Sequence, residues 1–325
     1  MHYNLNGITS DMPSDEEFWI HYSNDNLILN KGDILPDIDT LCTELHNLLA
    51  DKLFGGVEKD YSLLDSVPIW IVNGGISPDV KISKENFENF ASKRLDNEKF
   101  NRLLYFFDFR NLISTIQNSV ITTRYLLGQF YKFFNETDYL AGGKPVNSTG
   151  VQFTTGPLVI NTYSTIYHLF IALHGLLDYT TKICYEFEHM PSEFKKYNTL
   201  KSNKVYFKDK NQKISSHNNS NTIFEESETI NMIISIRNEI VNHFSFTNTP
   251  KIYLSYKDDV LTEKYILLSD FKKGAFKTYK NRKYFYSENN KLNEMLPYMV
   301  TGLWKSLKTT LKVIKVNTKD LVVNE

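Results

Sequence analysis

The sequence has few cysteines, no long apolar run and no excess of charge of either sign. Its 325 residues include only Cys42 and Cys184, so a disulfide framework and an all-cysteine zinc site are both excluded. Lysine and arginine number 37, against 38 aspartates and glutamates. This balance argues against a wholly basic nucleic-acid-binding protein, although a local basic patch remains open. No apolar stretch approaches the ~18 residues that a membrane-spanning helix needs.

The sequence also lacks a secretory signal pattern and the short motifs of several enzyme classes. The N-terminus lacks a basic start followed by an apolar segment, so we expect a cytoplasmic protein with no membrane partner. There is no Gly-x-x-x-x-Gly-Lys loop, no Gly-x-Ser-x-Gly elbow and no His-Glu-x-x-His. His174 and Asp178 lie four residues apart on a predicted helix, but such a pair without a clear third ligand is weak support for a metal site. We therefore expect no metal and no cofactor.

The residues that are present favour a large helical core. Apolar residues make up 41% of the chain and aromatic residues 14%, and apolar positions recur at helical spacing, which predicts a mainly α protein. The predicted helices are 37–54, 84–96, 97–135, 158–189, 223–245 and 290–316. Between them we expect a strand or buried loop at 68–72 and a loop at 138–157, together with strands at 251–256, 265–268 and 283–286.

The chain is expected to fold as two parts. Residues 1–96 are an N-terminal extension of mixed structure, and residues 97–325 are a helical bundle. The bundle carries a small β insertion at 250–286. A polar, low-complexity segment at 191–222 is expected to be a mobile insertion.

The predicted helix at 223–245 places a charged residue on its apolar stripe. Four apolar residues share one face within roughly 60° on a helical wheel: Ile233, Ile236, Ile240 and Phe244. Relative to Ile233, Arg237 falls at roughly +40°, inside the stripe, and His243 at roughly −80°, on its edge. A buried guanidinium costs several kcal/mol unless it is paired. Arg237 therefore needs a structural carboxylate, a route to water, or a phosphate.

The segment Arg237-Asn238-x-x-x-x-His243 resembles the signature of the HEPN superfamily. That signature is an arginine, a short spacer whose first residue is usually polar, and a histidine on one helix of a helical bundle. Long helices before the motif and a further helix after it agree with the family. The resemblance covers about residues 97–316 and implies a HEPN-like helical bundle, whereas residues 1–96 match no family that we can name.

This resemblance implies a metal-independent endoribonuclease that acts as a homodimer, with two motif helices forming one composite site. His243 would carry out acid–base chemistry and Arg237 would stabilise the phosphate, while Asn238 would orient His243 or the phosphate. RNA is the implied substrate, and the product would carry a 2′,3′-cyclic phosphate. A role in phage defence or a toxin system would add an antitoxin or defence-system protein as a partner. The alternative is a non-catalytic HEPN-type module that binds RNA, nucleotide or a protein.

Two further features can be assigned from the residues alone. Glu239 precedes His243 by four residues, so we expect its carboxylate to hydrogen-bond the imidazole and to favour the charged form. In the segment 271–286, six basic residues are interleaved with aromatic ones: Lys272, Lys273, Lys277, Lys280, Arg282 and Lys283. Such a mixture suits single-stranded RNA, although a solvated basic hairpin fits equally well. The lysine face between Lys305 and Lys315 is typical of a solvated helix surface, and it becomes the better candidate for RNA contact only if the segment 271–286 is a solvated hairpin.

Overall fold

The computed structural model describes residues 1–12, 18–23, 26–56, 67–93, 97–140, 149–197, 199–209, 214–215 and 220–322. This part of the chain is mainly helical, as the periodicity predicts. Its helices are α1 (Leu35–Phe54), α2 (Ile69–Asn73), α3 (Lys84–Ser92), α4 (Glu98–Glu136), α5 (Pro157–Glu188), α6 (Glu228–His243) and α7 (Leu292–Val322). Within the described ranges, no helix is both long enough and apolar enough to cross a lipid bilayer.

The strands in the described residues form small antiparallel sheets. They are β1 (His2–Asn4), β2 (Thr9–Ser10), β3 (Trp19–Ser23), β4 (Asn26–Leu29), β5 (Gly150–Thr154), β6 (Ile252–Lys257), β7 (Val260–Tyr265), β8 (Phe271–Lys272) and β9 (Ala275–Phe276). The first sheet has the order β2-β1-β3-β4, the second has the order β5-β6-β7, and β8 pairs with β9. Residues 1–96 were expected to have mixed structure, and the first sheet is built from strands in their first 29 residues.

The chain divides into two compact units. The first unit comprises Met1–Leu35, Ser119–Leu176 and Glu225–Ser306; the second comprises Pro36–Asn118, Leu177–Phe224 and Leu307–Glu325. The motif helix α6 and all three sheets belong to the first unit. The boundary that we expected near residue 96 lies inside the second unit. Hydrophobic periodicity reports local structure, so it could not show that the N-terminal strands join the unit containing α6.

Residues near the N-terminus are held in the first unit by buried polar contacts. The side chain of Asn293 donates to the carbonyl of Leu5 at 2.7 Å and accepts from the amide of Ile266 at 2.9 Å. Gly7 has a φ of +74°, and a Cβ there would lie 2.7 Å from Cβ of Lys264. Only glycine therefore permits this close approach of the chain to β7.

Helix α7 begins at Leu292, close to the predicted start at residue 290, and continues through Pro297. A proline lacks an N–H, so the carbonyl of Asn293 one turn earlier loses its intrahelical partner. The buried hydroxyl of Tyr131 donates to that carbonyl instead. This bond removes the main penalty of the proline.

Three short segments differ from the sequence-based expectation. The segment 68–72 was expected to be a strand or buried loop, but it contributes to the five-residue helix α2, because so short an apolar run has no decisive period. The expected loop at 138–157 contains the strand β5, whose signal was hidden by flanking glycines; residues 141–148 lie outside the described residues. The segment 283–286 is not a strand.

The second unit contains a separate apolar cluster and the polar segment at 191–222. The cluster is centred on Ile71, Ala91, Phe100 and Leu104. In the polar segment, residues 201–204 form one 3₁₀ turn, and the amide of Ser202 donates to the buried carboxylate of Glu186 at 2.9 Å. Lys210, Lys213 and residues 216–219 of this segment lie outside the described residues.

Candidate functional site

Helix α6 buries the apolar stripe predicted for it, except at its end. The side chains of Ile230, Met232, Ile233, Ile236 and Ile240 are buried. Phe244 was expected to belong to this stripe, but it is 86% exposed. The helix ends at His243, and Phe244 takes a left-handed backbone conformation with φ of +66°, so its side chain leaves the helical face. For a bulky residue this conformation is strained.

Arg237 lies beside the buried stripe and is partly buried. Its Nη1 donates to Oδ1 of Asn238 at 3.0 Å, and no carboxylate in the described part of the chain forms an ion pair with it. Asn238 thus orients the guanidinium. Because a guanidinium has five N–H donors, most of them remain available to an anion. The structural ion pair that the sequence left open is not formed within the described residues.

His243 is exposed at the last residue of α6. The hydrogen bond that we expected between Glu239 and the imidazole is not formed. The carboxylate of Glu239 instead accepts from Nζ of Lys283 at 2.9 Å and from the hydroxyl of Tyr284 at 3.0 Å. Burial and this carboxylate both raise the pKa of Tyr284, so the phenol remains a donor. Glu239 therefore holds residues 283–284 against α6.

Exposed apolar side chains lie near the end of α6. Val241 is 52% exposed, and Phe244, three residues later, is still more exposed. Helix α5 reaches this region, since the hydroxyls of Tyr167 and Ser245 share a hydrogen bond of 2.5 Å. Ile171, four residues further along α5, is also exposed. An apolar surface beside a charged motif is typical of a contact with another molecule.

The basic segment 271–286 packs on the motif helix. The hydroxyl of Ser235 donates to the carbonyl of Gly274 at 2.8 Å. Gly274 has a φ of +79°, and a Cβ there would lie 2.4 Å from Cβ of Asn231, so glycine allows the hairpin to approach α6 closely. The segment is therefore part of the surface of the helix that carries Arg237 and His243.

The six basic residues of this segment do not share one environment. Lys277 pairs with Glu288, and Lys283 pairs with Glu239. The other four side chains are exposed: Lys272, Lys273, Lys280 and Arg282. On the competing face of α7, Lys308 pairs with Asp37 and Lys315 pairs with Glu44. The sequence could not show these partners, because most of them lie far away along the chain.

The exposed basic residues give a prediction about salt dependence. Changing Lys280 and Arg282 together to glutamine should weaken binding of single-stranded RNA. It should also flatten the dependence of log K on log salt by about 0.7 for each phosphate that the variant no longer neutralises. The measurement is a titration of labelled RNA at several salt concentrations. The matched control changes the exposed Lys81 and Lys99 of the second unit to glutamine. If the salt slope changes equally in the control and in the Lys280/Arg282 variant, the segment 271–286 is a solvated hairpin with no specific role in RNA binding.

Metal binding and similarity to known proteins give no further assignment of the site. In the described residues, no group of three or more histidine, cysteine, aspartate or glutamate side chains is arranged to hold a metal ion. Oδ1 of Asp178 accepts from the amide of Phe207 at 2.9 Å. Cys42 and Cys184 are buried. Comparison of the chain with family models, curated proteins and solved structures gave no match.

Proposed function

We propose that this protein is a metal-independent endoribonuclease with a HEPN-like bundle, whose site forms where the α6 helices of two copies meet. One observation carries the proposal: the partly buried guanidinium of Arg237 has no carboxylate partner in the described residues and lies on the same helix as the exposed His243. A permanent cation with free donors, on the same helix as an imidazole that can accept and donate a proton, suits phosphodiester chemistry.

The chemistry needs only these side chains and the RNA. The 2′-hydroxyl loses a proton to an imidazole and attacks the adjacent phosphorus, and the bond to the 5′-oxygen breaks as that oxygen receives a proton. The guanidinium of Arg237 donates to the non-bridging oxygens, where negative charge develops. Asn238 fixes the direction of the guanidinium through its 3.0 Å bond. The products carry a 2′,3′-cyclic phosphate and a 5′-hydroxyl.

Helix geometry favours a site shared by two copies. Arg237 and His243 are six residues apart, so they are separated by about 120° around the axis and about 9 Å along it. A second helix packed against the first would supply a histidine opposite each arginine. The exposed Val241 and Phe244 would be buried in the same contact, and burying a phenylalanine contributes about 1.5–3 kcal/mol.

Phe244→Gly should raise the stability of the protomer and weaken its association with a second copy. Glycine accepts a positive φ without strain, so the free energy of unfolding should rise by about 1 kcal/mol. The loss of the exposed ring should weaken the dimer. Urea unfolding at low concentration and sedimentation equilibrium measure the two effects. Tyr206→Ala removes another exposed ring and should leave association unchanged; a Phe244→Gly protein that dimerises like the wild type would exclude this surface from the interface.

The proposed activity is tested by incubating the purified protein with total RNA in the presence of EDTA, followed by end-group analysis. We expect cleavage that persists in EDTA and leaves 2′,3′-cyclic phosphate and 5′-hydroxyl ends. Cleavage that EDTA abolishes, or products with 3′-hydroxyl ends, would contradict the proposal. RNA binding without any cleavage would favour a non-catalytic HEPN-type module.

A further inference from the structure

The sheet β5-β6-β7 has one buried face and one aromatic face. On β6, Ile252, Leu254 and Tyr256 are buried, so the alternate residues face the other way. That outer face carries one aromatic ring on each strand, at directly opposed positions. Phe153 on β5 pairs with Tyr253 on β6, and Tyr253 pairs with Tyr265 on β7. The three rings therefore form a ladder across the sheet.

The ladder is open at its β5 end. The rings of Tyr253 and Tyr265 are stacked, with centroids 5.2 Å apart and planes inclined by 10°. The ring of Phe153 lies 6.2 Å from that of Tyr253 and is 56% exposed. Among the described strands, β5 is one of the two edges of this sheet. The neighbouring Val151, on the same face, is exposed as well.

Positive charge lies at the same open end. Nζ of Lys251 is 4.0 Å from the centroid of Phe153, and no carboxylate in the described residues pairs with it. At the opposite end, Lys291 lies over Tyr265 but is engaged by Glu263 and Glu294. The charge available to a phosphate is therefore beside Phe153 and not beside Tyr265.

The open end of the ladder is joined to the end of the motif helix. Lys251 follows His243 by eight residues. The hydroxyl of Tyr163 donates to the carbonyl of Lys251 at 3.0 Å, and the ring of Tyr163 stacks on Phe246 at 5.6 Å. A strand of RNA that reaches His243 would thus have the ladder within a few nucleotides.

We propose that Phe153, Tyr253 and Tyr265 form a base-stacking platform for single-stranded RNA, in which Lys251 leaves the face of the Phe153 ring when a base stacks there and binds the adjacent phosphate. This inference rests on the proposed function for the identity of its ligand. Aromatic rings stack on any base, and a flanking cation neutralises the backbone, so the pair binds single strands with little sequence preference. Cross-strand aromatic pairs also stabilise a sheet, but that role requires neither the exposure of Phe153 nor the cation above it.

The test measures binding of a labelled 12-nucleotide oligouridylate to the His243→Ala protein. This variant is used because it should not cleave the RNA during the binding measurement. Phe153→Leu should weaken binding about 5- to 100-fold without changing the salt slope. Phe153→Tyr, which keeps the ring, should bind nearly as well as the parent. Lys251→Gln should weaken binding and lower the salt slope by about 0.7. Tyr125→Leu, at another exposed ring, is the matched control.

An abasic oligonucleotide of the same length separates stacking from charge. The parent protein should bind it about as weakly as the Phe153→Leu variant binds oligouridylate. The platform is refuted if the parent does not bind oligouridylate, or if Phe153→Leu binds oligouridylate as tightly as the parent does. It is also refuted if Phe153→Leu lowers affinity for the abasic strand by the same factor as for oligouridylate. If the wild type cleaves RNA but binding does not depend on the Phe153 ring, the proposed ribonuclease function is supported and the stacking platform is refuted. If binding depends on the ring but the wild type does not cleave RNA, the platform is supported and the ribonuclease function is refuted.

Discussion

Arg237→Ala and His243→Ala should each lower RNA cleavage by about 10²–10⁴-fold while leaving the protein folded. The only side-chain hydrogen bond of Arg237 within the described residues is to Asn238, and His243 is exposed, so neither side chain supports the core. Arg237→Lys keeps the charge but loses the planar fork, and should remain impaired. Cleavage rates under single-turnover conditions, with melting temperatures for each variant, measure both expectations.

The control for these variants is His168→Ala, which removes another exposed histidine from the same unit. It should cleave RNA like the wild type. The double variant of Arg237 and His243 should be little slower than either single one, because groups that act together are non-additive. Equal cleavage by both single variants and the wild type would refute the ribonuclease proposal.

Mixing the two single variants tests whether the site is shared. A mixed dimer contains His243 from the Arg237→Ala copy and Arg237 from the His243→Ala copy. If the two side chains act on one phosphate across the interface, the mixture should regain part of the activity that each variant lacks alone. No recovery, with mixed dimers shown to form, would mean that each copy uses its own pair.

The long helices could be predicted because their apolar residues repeat at helical spacing over many turns. Helices α4 and α5 begin and end within one or two residues of the expected positions. By contrast, the five residues of α2 span little more than one turn, too few to define a period. At the start of α7, the hydroxyl of Tyr131 donates to the carbonyl of Asn293 that Pro297 leaves without an intrahelical partner, and no local pattern around Pro297 reveals that contact.

The candidate site was predictable in its residues but not in their partners. The pattern around Arg237 and His243 placed both on one helix. The sequence could not show that Glu239 binds Lys283 and Tyr284, because that contact needs the hairpin to fold back on α6. The aromatic ladder was missed for the same reason. Period-two alternation was visible around Tyr253, but only strand register brings three separate segments together.

Lys264→Met should strongly destabilise the first unit. Lys264 lies on β7 and is 5% exposed. Its Nζ donates to the carbonyls of Phe134, Asn135 and Thr137 at 3.1, 2.7 and 2.9 Å. The first two carbonyls lie in the last turn of α4, where helix geometry leaves carbonyls without intrahelical partners. The third lies one residue beyond the end of the helix. Burial lowers the pKa of Lys264 to about 8, so the ammonium is still the main form at pH 7.

Methionine has nearly the same length and no donor, so the variant leaves two buried carbonyls and one partly buried carbonyl without this donor and creates no large cavity. We expect the free energy of unfolding to fall by about 3–5 kcal/mol, measured by urea denaturation at pH 7. Lys257→Met, on the neighbouring strand β6 at an exposed position, should change it by less than about 0.5 kcal/mol. Amide exchange should also accelerate selectively at the end of α4, because the ammonium stabilises the negative end of the helix dipole. Equal stability of the two variants would show that water replaces the ammonium at these carbonyls.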